Sequence, residues 1–142
     1  MDDLSRFTAA QEHGVYATAL AELKSGRKRT HWMWFVLPQI AGLGSSDMAQ
    51  RYAISDLAEA RSYLRHPVLG ARLRTCVAAV LEHPDRTAND MFGAPDDLKF
   101  CSCLTLFEVA DSEEPLFRSA LEIFYDGVRD ARTLRLLGRQ QR

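Results

Sequence analysis

Apolar residues recur at helical spacing along most of this 142-residue chain, and this periodicity limits the folds open to it. The set Leu69, Leu73, Val77 and Val80 is the clearest case, because residues three or four positions apart line one face of a helix. No run of alternating apolar and polar residues lies between hairpin turns, so nothing in the sequence indicates a sheet. We therefore expect an all-α, compact, multihelical single domain over residues 1–142.

Glycine, proline and capping residues divide this pattern into separate helices. Gly14 and Gly26 predict a break and a stop for helices over residues 3–24. The spacing of Asp56 and Glu59 is typical of a capping box, and Pro67 suits the first position of the helix after it. Further helix starts are predicted at Ser46, Thr87, Pro95, Pro115 and Asp130.

The overall charge excludes one class of function. With a net charge of −1, the chain does not resemble a protein that works by gripping nucleic-acid phosphates. Its three cysteines, Cys76, Cys101 and Cys103, have neither a disulfide pattern nor zinc-ligand spacing. The acidic first residues lack the apolar run of a secretory signal, so we expect a cytoplasmic protein with no membrane or nucleic-acid partner.

The segment from Gly26 to Ser46, GRKRTHWMWFVLPQIAGLGSS, has the most unusual composition. It holds both tryptophans between a basic run at 27–29 and a glycine turn at 42–44. Residues 31–37 could form a buried helix or a strand, and helical neighbours favour a helical turn that Pro38 ends. Such a block is either part of the core or the wall of a ligand pocket.

Read as a pocket, the segment supplies groups for an anion and a ring. Arg27 could meet a pyrophosphate, and the turn at Gly44 and Ser45 could offer backbone N–H groups to the same anion. Trp34 could stack on a base, and Gln39 could read its edge. The alternative is a solvated loop, a plain glycine turn and two core tryptophans.

A second polar cluster lies at the start of a later helix. Asp96 and Lys99 are three residues apart, as are Ser102 and Thr105, so each pair can share a helix face. Ser102 and Thr105 are candidate ligand-binding residues. Asp97 is a candidate acid that could orient a water or a ribose hydroxyl, and Lys99 a candidate phosphate ligand. Helix capping and a surface ion pair would explain the same residues without a ligand.

His31 is the most interesting titratable side chain, because its ordinary pKa lies near neutrality and suits a general acid or base. It could equally close a turn between the basic run and the aromatic block. No pair of histidines has the spacing of a metalloprotease motif, and no metal or cofactor is predicted.

The chain resembles the bacterial family catalogued as domain of unknown function 1810. The resemblance is carried by the block HWMWF-x-x-PQ-x-x-GLG at residues 31–44, by the stretch from Tyr63 to Leu73 and by the stretch from Gly93 to Phe107. It implies an all-α fold. The chain departs from the family pattern at Cys103 and Leu104, where serine and methionine are expected.

A fainter resemblance links residues 63–93 to the NADAR, YbiA-like family. It implies a ligand derived from NAD or ADP-ribose and cleavage of an N-glycosidic bond. The glutamate that this family places among aromatic residues has no counterpart in the block from His31 to Phe35.

Two functional hypotheses follow. In the first, the protein binds a small nucleotide-like ligand and could hydrolyse its N-glycosidic bond, with Asp97 orienting water, His31 or Lys99 assisting the leaving group and Trp34 stacking. In the second, the protein is a non-catalytic structural or interaction module whose aromatic block is core. The first requires His31, Gln39 and Lys99 to converge on one cleft. Neither hypothesis specifies an oligomeric state.

Overall fold

The computed structural model describes the backbone of residues 3–140 and the side chains of residues 3–138. Over these residues the chain is helical, as its periodicity predicts, and contains no strand. The helices are α1 (Ser5–Ala10), α2 (Val15–Ser25), α3 (Met33–Val36), α4 (Asp47–Arg51), α5 (Leu57–Arg65), α6 (Leu69–Leu81), α7 (Ala88–Phe92), α8 (Asp96–Ala110), α9 (Pro115–Tyr125) and α10 (Ala131–Gln140).

Most helix ends lie where local signals predict them. Gly14 and Gly26 have φ angles of 82° and 81°, in the left-handed region that favours glycine, and they flank α2. Ser46, Thr87 and Asp130 each accept, through the side chain, the backbone N–H three residues further on. These three starts are confirmed.

Two predicted helix starts differ in detail. Helix α6 begins at Leu69, two residues after Pro67, and the His66 side chain accepts the Leu69 N–H at 3.2 Å. Asp56 does accept the N–H of Glu59 at 2.8 Å, but the Glu59 carboxylate pairs with an arginine of α1. The Glu59 side chain therefore ties α5 to α1.

Helix α8 runs through the centre of the molecule. All eight residues from Phe100 to Phe107 are buried, and α8 contacts α5, α7, α9 and α10. The Phe107 ring packs against Tyr63 of α5 and Phe117 of α9, with centroids 5.4 and 5.9 Å apart. The first turn of α8 emerges from this core at the surface.

The three cysteines belong to the core. Cys76, Cys101 and Cys103 are all buried and free. Burial disfavours the thiolate form and raises the pKa of all three thiols, to about 12 for Cys76.

The segment between α3 and α4 is held by backbone hydrogen bonds and by close packing. The Ile54 N–H donates to the Gln39 carbonyl at 2.8 Å, and the Ala41 N–H donates to the Ile54 carbonyl at 2.8 Å. Gly42, with a φ of 101°, lies so close to α10 that a Cβ there would meet Leu136 at 3.2 Å. This segment therefore lies against α10, near the exposed start of α8.

Candidate ligand-binding cleft

A cleft of about 450 Å³ opens between the segment before α4, the first turns of α8 and the start of α10. An adjoining depression of about 140 Å³ shares Gln39 and Gly44 with this cleft and extends it to Trp34. The polar lining of the cleft consists of Gln39, Ser45, Ser46, Lys99, Ser102, Asp130 and Arg132. Several ligand-binding candidates from the sequence thus lie around one cavity.

Lys99 lies on the first turn of α8 with its ammonium group at the cleft. Its Nζ is 5.5 Å from the centroid of the Trp34 ring, a cation–π distance. The same Nζ is 3.6 Å from Asp96 Oδ1, and the Lys99 side chain is 29% exposed. The Lys99 ammonium therefore lies near both Asp96 and the Trp34 ring and is open to the solvent of the cleft.

The two tryptophans have different environments, because Trp32 is the N-cap of α3 and its indole is held by Glu22, whereas Trp34 lies within the helix. Trp32 is 2% exposed and belongs to the core. Trp34 is partly buried and lines the extension of the cleft. One edge of the aromatic block is thus core and the other is pocket wall.

Glu22 of α2 organises the loop that leads into the aromatic block. Its carboxylate accepts hydrogen bonds from the Arg29 and Thr30 N–H groups, from the Thr30 hydroxyl and from Trp32 Nε1–H at 2.6 to 3.0 Å. Burial alone would raise the pKa of this carboxyl, but the hydrogen bonds from Thr30, Arg29 and Trp32 outweigh it and lower the pKa to about 2. The sequence did not indicate the role of Glu22, since a single acidic residue on an amphipathic helix is normally expected at the surface.

Gly44 and Ser45 form the outer wall of the cleft. A Cβ on Gly44 would lie 2.6 Å from the Ala49 Cβ, so the backbone approaches α4 as only glycine allows. The Ser45 carbonyl accepts the Gln50 side-chain amide at 2.9 Å, and Ser46 caps α4. The turn is rigidly tied to α4, and its role as an anion-binding turn stays a prediction.

Ser102 and Thr105 lie at different depths, although both were predicted to bind the ligand. Ser102 lines the cleft, and its hydroxyl donates to the Leu98 carbonyl at 3.2 Å. Thr105 is fully buried: its hydroxyl donates to the Cys101 carbonyl at 2.8 Å and accepts the Asp130 N–H at 3.0 Å. Thr105 therefore positions the start of α10 and does not touch a ligand, a correction to the prediction.

Arg132 is a cleft residue that the sequence did not single out. Its guanidinium donates to the Leu43 carbonyl at 3.3 Å, a contact between residues 89 positions apart. Arg132 is one of five arginines among the last 14 residues, and nothing in the local sequence distinguishes it from the others. Arg132 places a second cation in the cleft that holds Lys99.

His31 lies apart from this cleft, contrary to the convergence that the ligand hypothesis required. It is exposed and lines a separate depression with His13, Thr18 and Thr30. The physical reason is that His31 precedes α3, where the loop is held to α2 through Glu22, whereas Gln39 follows α3. Gln39 and Lys99 do line one cleft.

Arg27 and Asp97 do not line the cleft either. Arg27 is exposed, and its backbone N–H donates to the Glu22 carbonyl at 3.1 Å, which continues the end of α2. The Asp97 carboxylate accepts the Leu98 N–H at 2.9 Å and the Asn89 side-chain amide at 3.3 Å. Asp97 therefore serves the start of α8 and its contact with α7.

Residues 3–140 contain neither a group of metal-ligating side chains nor a membrane-spanning helix. No group of three or more His, Cys, Asp or Glu side chains in this range could hold a metal ion. None of the helices there combines the length and the apolar composition needed to cross a membrane.

The fold and the cleft thus define an all-α protein with a polar, partly aromatic cavity. The model of the family described as "Protein of unknown function (DUF1810)" matches residues 1–137, and the chain belongs to this family. The chain is similar to the crystal structure of the conserved hypothetical protein Rv1873 from Mycobacterium tuberculosis, with 49% sequence identity, a TM-score of 0.93 and 96% of each chain covered.

The two matches establish the family of the chain and its fold. A comparison with curated proteins gives no significant match. The fainter resemblance to the NADAR family finds no support in the family and structural matches.

Proposed function

We propose that this protein binds a small anionic ligand that carries a planar ring, such as a nucleotide, in the cleft between α4, α8 and α10. The observation that carries the proposal is the position of Lys99, whose ammonium lies 5.5 Å from the Trp34 ring beside a cavity that Gln39 and Arg132 also line. A cation at an aromatic face suits a ligand whose negative group lies next to its ring.

Each side chain has a distinct role in this proposal. Trp34 stacks on the ring, a contact worth about 1–3 kcal/mol for a nucleobase. Lys99 and Arg132 bind the anionic group, and the Gln39 amide hydrogen-bonds to the ring edge. The cleft volume of about 450 Å³ falls within the range of small-molecule sites.

The proposal is restricted to binding. Cleavage of an N-glycosidic bond would call for a carboxylate in the cleft that can reach the sugar. Asp130 is the carboxylate that lines the cleft, and its Oδ2 accepts both the N–H and the hydroxyl of Thr133. Asp97, the predicted catalytic acid, bonds instead to Leu98 and Asn89.

The rival hypothesis of a non-catalytic interaction module requires a structure without convergent polar groups. The common cleft of Gln39, Lys99 and Arg132 supports ligand binding over that rival. The separate position of His31 removes one of the three groups first expected there.

Isothermal titration calorimetry and thermal unfolding of the full chain test the proposal. The panel contains AMP, ADP-ribose and NAD, with adenosine and inorganic phosphate as the two halves of the recognised group. We expect AMP or ADP-ribose to bind more tightly than either half and to raise the melting temperature by mass action. Lys99→Gln should abolish the shift, and Lys24→Gln on the exposed end of α2 is the matched control. The absence of any shift or amide NMR change across the panel would overturn the proposal.

A further inference from the structure

We propose that Lys28 is a positioning residue that acts by neutralising Asp96, which leaves Lys99 an uncompensated cation at the face of Trp34, so that the cleft selects an anionic group beside a planar ring. The inference deepens the proposed function and rests on it for the identity of the ligand. The charge arrangement itself is independent of any ligand.

The Asp96 carboxylate contacts two ammonium groups, and it lies closer to that of Lys28 than to that of Lys99. Its Oδ2 is 2.9 Å from Lys28 Nζ, whereas its Oδ1 is 3.6 Å from Lys99 Nζ. The Lys28 side chain is 7% exposed and the Lys99 side chain 29% exposed. The closer and less hydrated pair is the stronger one, because solvent screens it less.

Lys28 acts through Asp96, since it cannot reach a ligand in the cleft. Its Nζ also donates to the Thr30 carbonyl at 2.6 Å and lies 5.1 Å from the buried Trp32 ring. Its backbone N–H donates to the Met91 carbonyl at 2.7 Å, which fixes the residue between α2 and α7. Lys28 is absent from the residues that line the cleft.

The charges of this cluster leave one positive charge, and the geometry places it on Lys99. Lys28 neutralises Asp96, and the Lys99 ammonium therefore lies near Trp34 without a close ion pair. The other charged groups of the cleft are Arg132 and Asp130, and the latter carboxylate is hydrogen-bonded to the start of α10. If Lys28 lost its charge, Asp96 would pair with Lys99 alone and compete with an incoming anion.

Fluorescence quenching of the full chain tests the charge arrangement without a ligand. Trp32 is 2% exposed, so quenching by dissolved iodide reports on Trp34. Lys28→Met should lower the iodide quenching constant about twofold and leave the constant for neutral acrylamide unchanged. The reason is that the removed positive charge attracts iodide but does not attract a neutral molecule. Asp96→Asn should raise the iodide constant above wild type, and the double variant Lys28→Met/Asp96→Asn should return to the wild-type value.

Arg74→Met provides the matched control. It removes one positive charge from an ion pair with Glu114, 3.1 Å long, beside a groove between α6 and α9. It should leave iodide quenching unchanged. Equal changes in iodide and acrylamide quenching in Lys28→Met, or no recovery in the double variant, would overturn the inference, because a merely structural role for Lys28 predicts that outcome.

Titration with AMP then separates the inference from the proposed function. Lys28→Met should bind AMP about tenfold more weakly than wild type, and the double variant should recover. If iodide quenching follows the expected pattern but wild type binds no member of the panel, the charge arrangement stands and the proposed function fails. If wild type binds AMP and Lys28→Met binds it equally well, the inference fails and the proposed function stands.

Discussion

The indole N–H of Trp32 donates to a carboxylate oxygen of Glu22 at 2.9 Å, inside the core and ten residues away along the chain. The same carboxylate accepts two backbone N–H groups and one hydroxyl from the loop between them. This arrangement fixes the entry to the aromatic block. Trp32 consequently turns inward, and Trp34 turns toward the cleft.

Glu22→Gln should therefore destabilise the protein. An amide oxygen accepts more weakly than a carboxylate oxygen, and the amide NH₂ group would replace the oxygen that accepts the Thr30 hydroxyl, so we expect a loss of about 2–3 kcal/mol in the free energy of unfolding. Urea denaturation followed by far-UV circular dichroism measures it. The control is Glu12→Gln, the same change at an exposed position, which should cost about 0.5 kcal/mol or less. Equal effects of the two substitutions would contradict the role assigned to Glu22.

The Glu22 carboxyl should also make stability depend on pH. Its pKa is about 2 in the folded protein against 4.5 for the ordinary side chain, so the folded state binds the proton more weakly than the unfolded state. The resulting stabilisation is fully present above about pH 4.5 and is lost as the pH falls toward 2, with a total on the order of 3 kcal/mol. Urea denaturation of wild type and Glu22→Gln across this range should give curves that converge at low pH. Parallel curves would exclude Glu22 as the source.

Trp34 and Trp32 should respond differently to the same substitution. Trp32→Leu removes a buried ring and its hydrogen bond to Glu22, and we expect a cost of about 3–5 kcal/mol. Trp34→Leu should leave the helical circular dichroism intact and cost less, because this ring is only partly buried. It should abolish AMP binding in calorimetry. Unfolding of Trp34→Leu would support the interaction-module hypothesis instead.

Gly44→Ala should disturb the wall of the cleft. The added Cβ would lie 2.6 Å from the Ala49 Cβ, so the turn or α4 must move, at a cost of about 1–3 kcal/mol. Gly138→Ala on α10 meets no atom within 4 Å and should stabilise its helix by up to about 1 kcal/mol. Thermal unfolding of both variants measures the difference. A neutral Gly44→Ala would contradict the close approach of the turn to α4.

Thr105→Val should show that this buried hydroxyl is structural. The valine keeps the shape but leaves the Asp130 N–H without its acceptor, which costs about 1–3 kcal/mol. Thr105→Ser retains the hydroxyl and should keep that hydrogen bond. Protection of the Asp130 amide in hydrogen exchange distinguishes the two variants. If both variants protect the amide equally, Thr105 does not hold the start of α10.

Several elements of the fold and of the cleft followed from the sequence because they depend on neighbours in the chain. The left-handed Gly26, the cap at Ser46 and the helical turn before Pro38 are all decided within about four residues. The same holds for Asp96 and Lys99, whose spacing puts both on one face of α8. Helical periodicity over the whole chain was sufficient to predict an all-α domain.

The tertiary structure decided which of these local pieces meet. Lys28 reaches Asp96, and Arg132 reaches Leu43, only because loops and helices distant in the chain pack together. The separation of His31 from Gln39 depends on how Glu22 anchors one end of the aromatic block, a contact that no local pattern indicates. Periodicity thus specified which faces are apolar. Close packing of the helices around α8 then determined which polar groups were left to form the cleft.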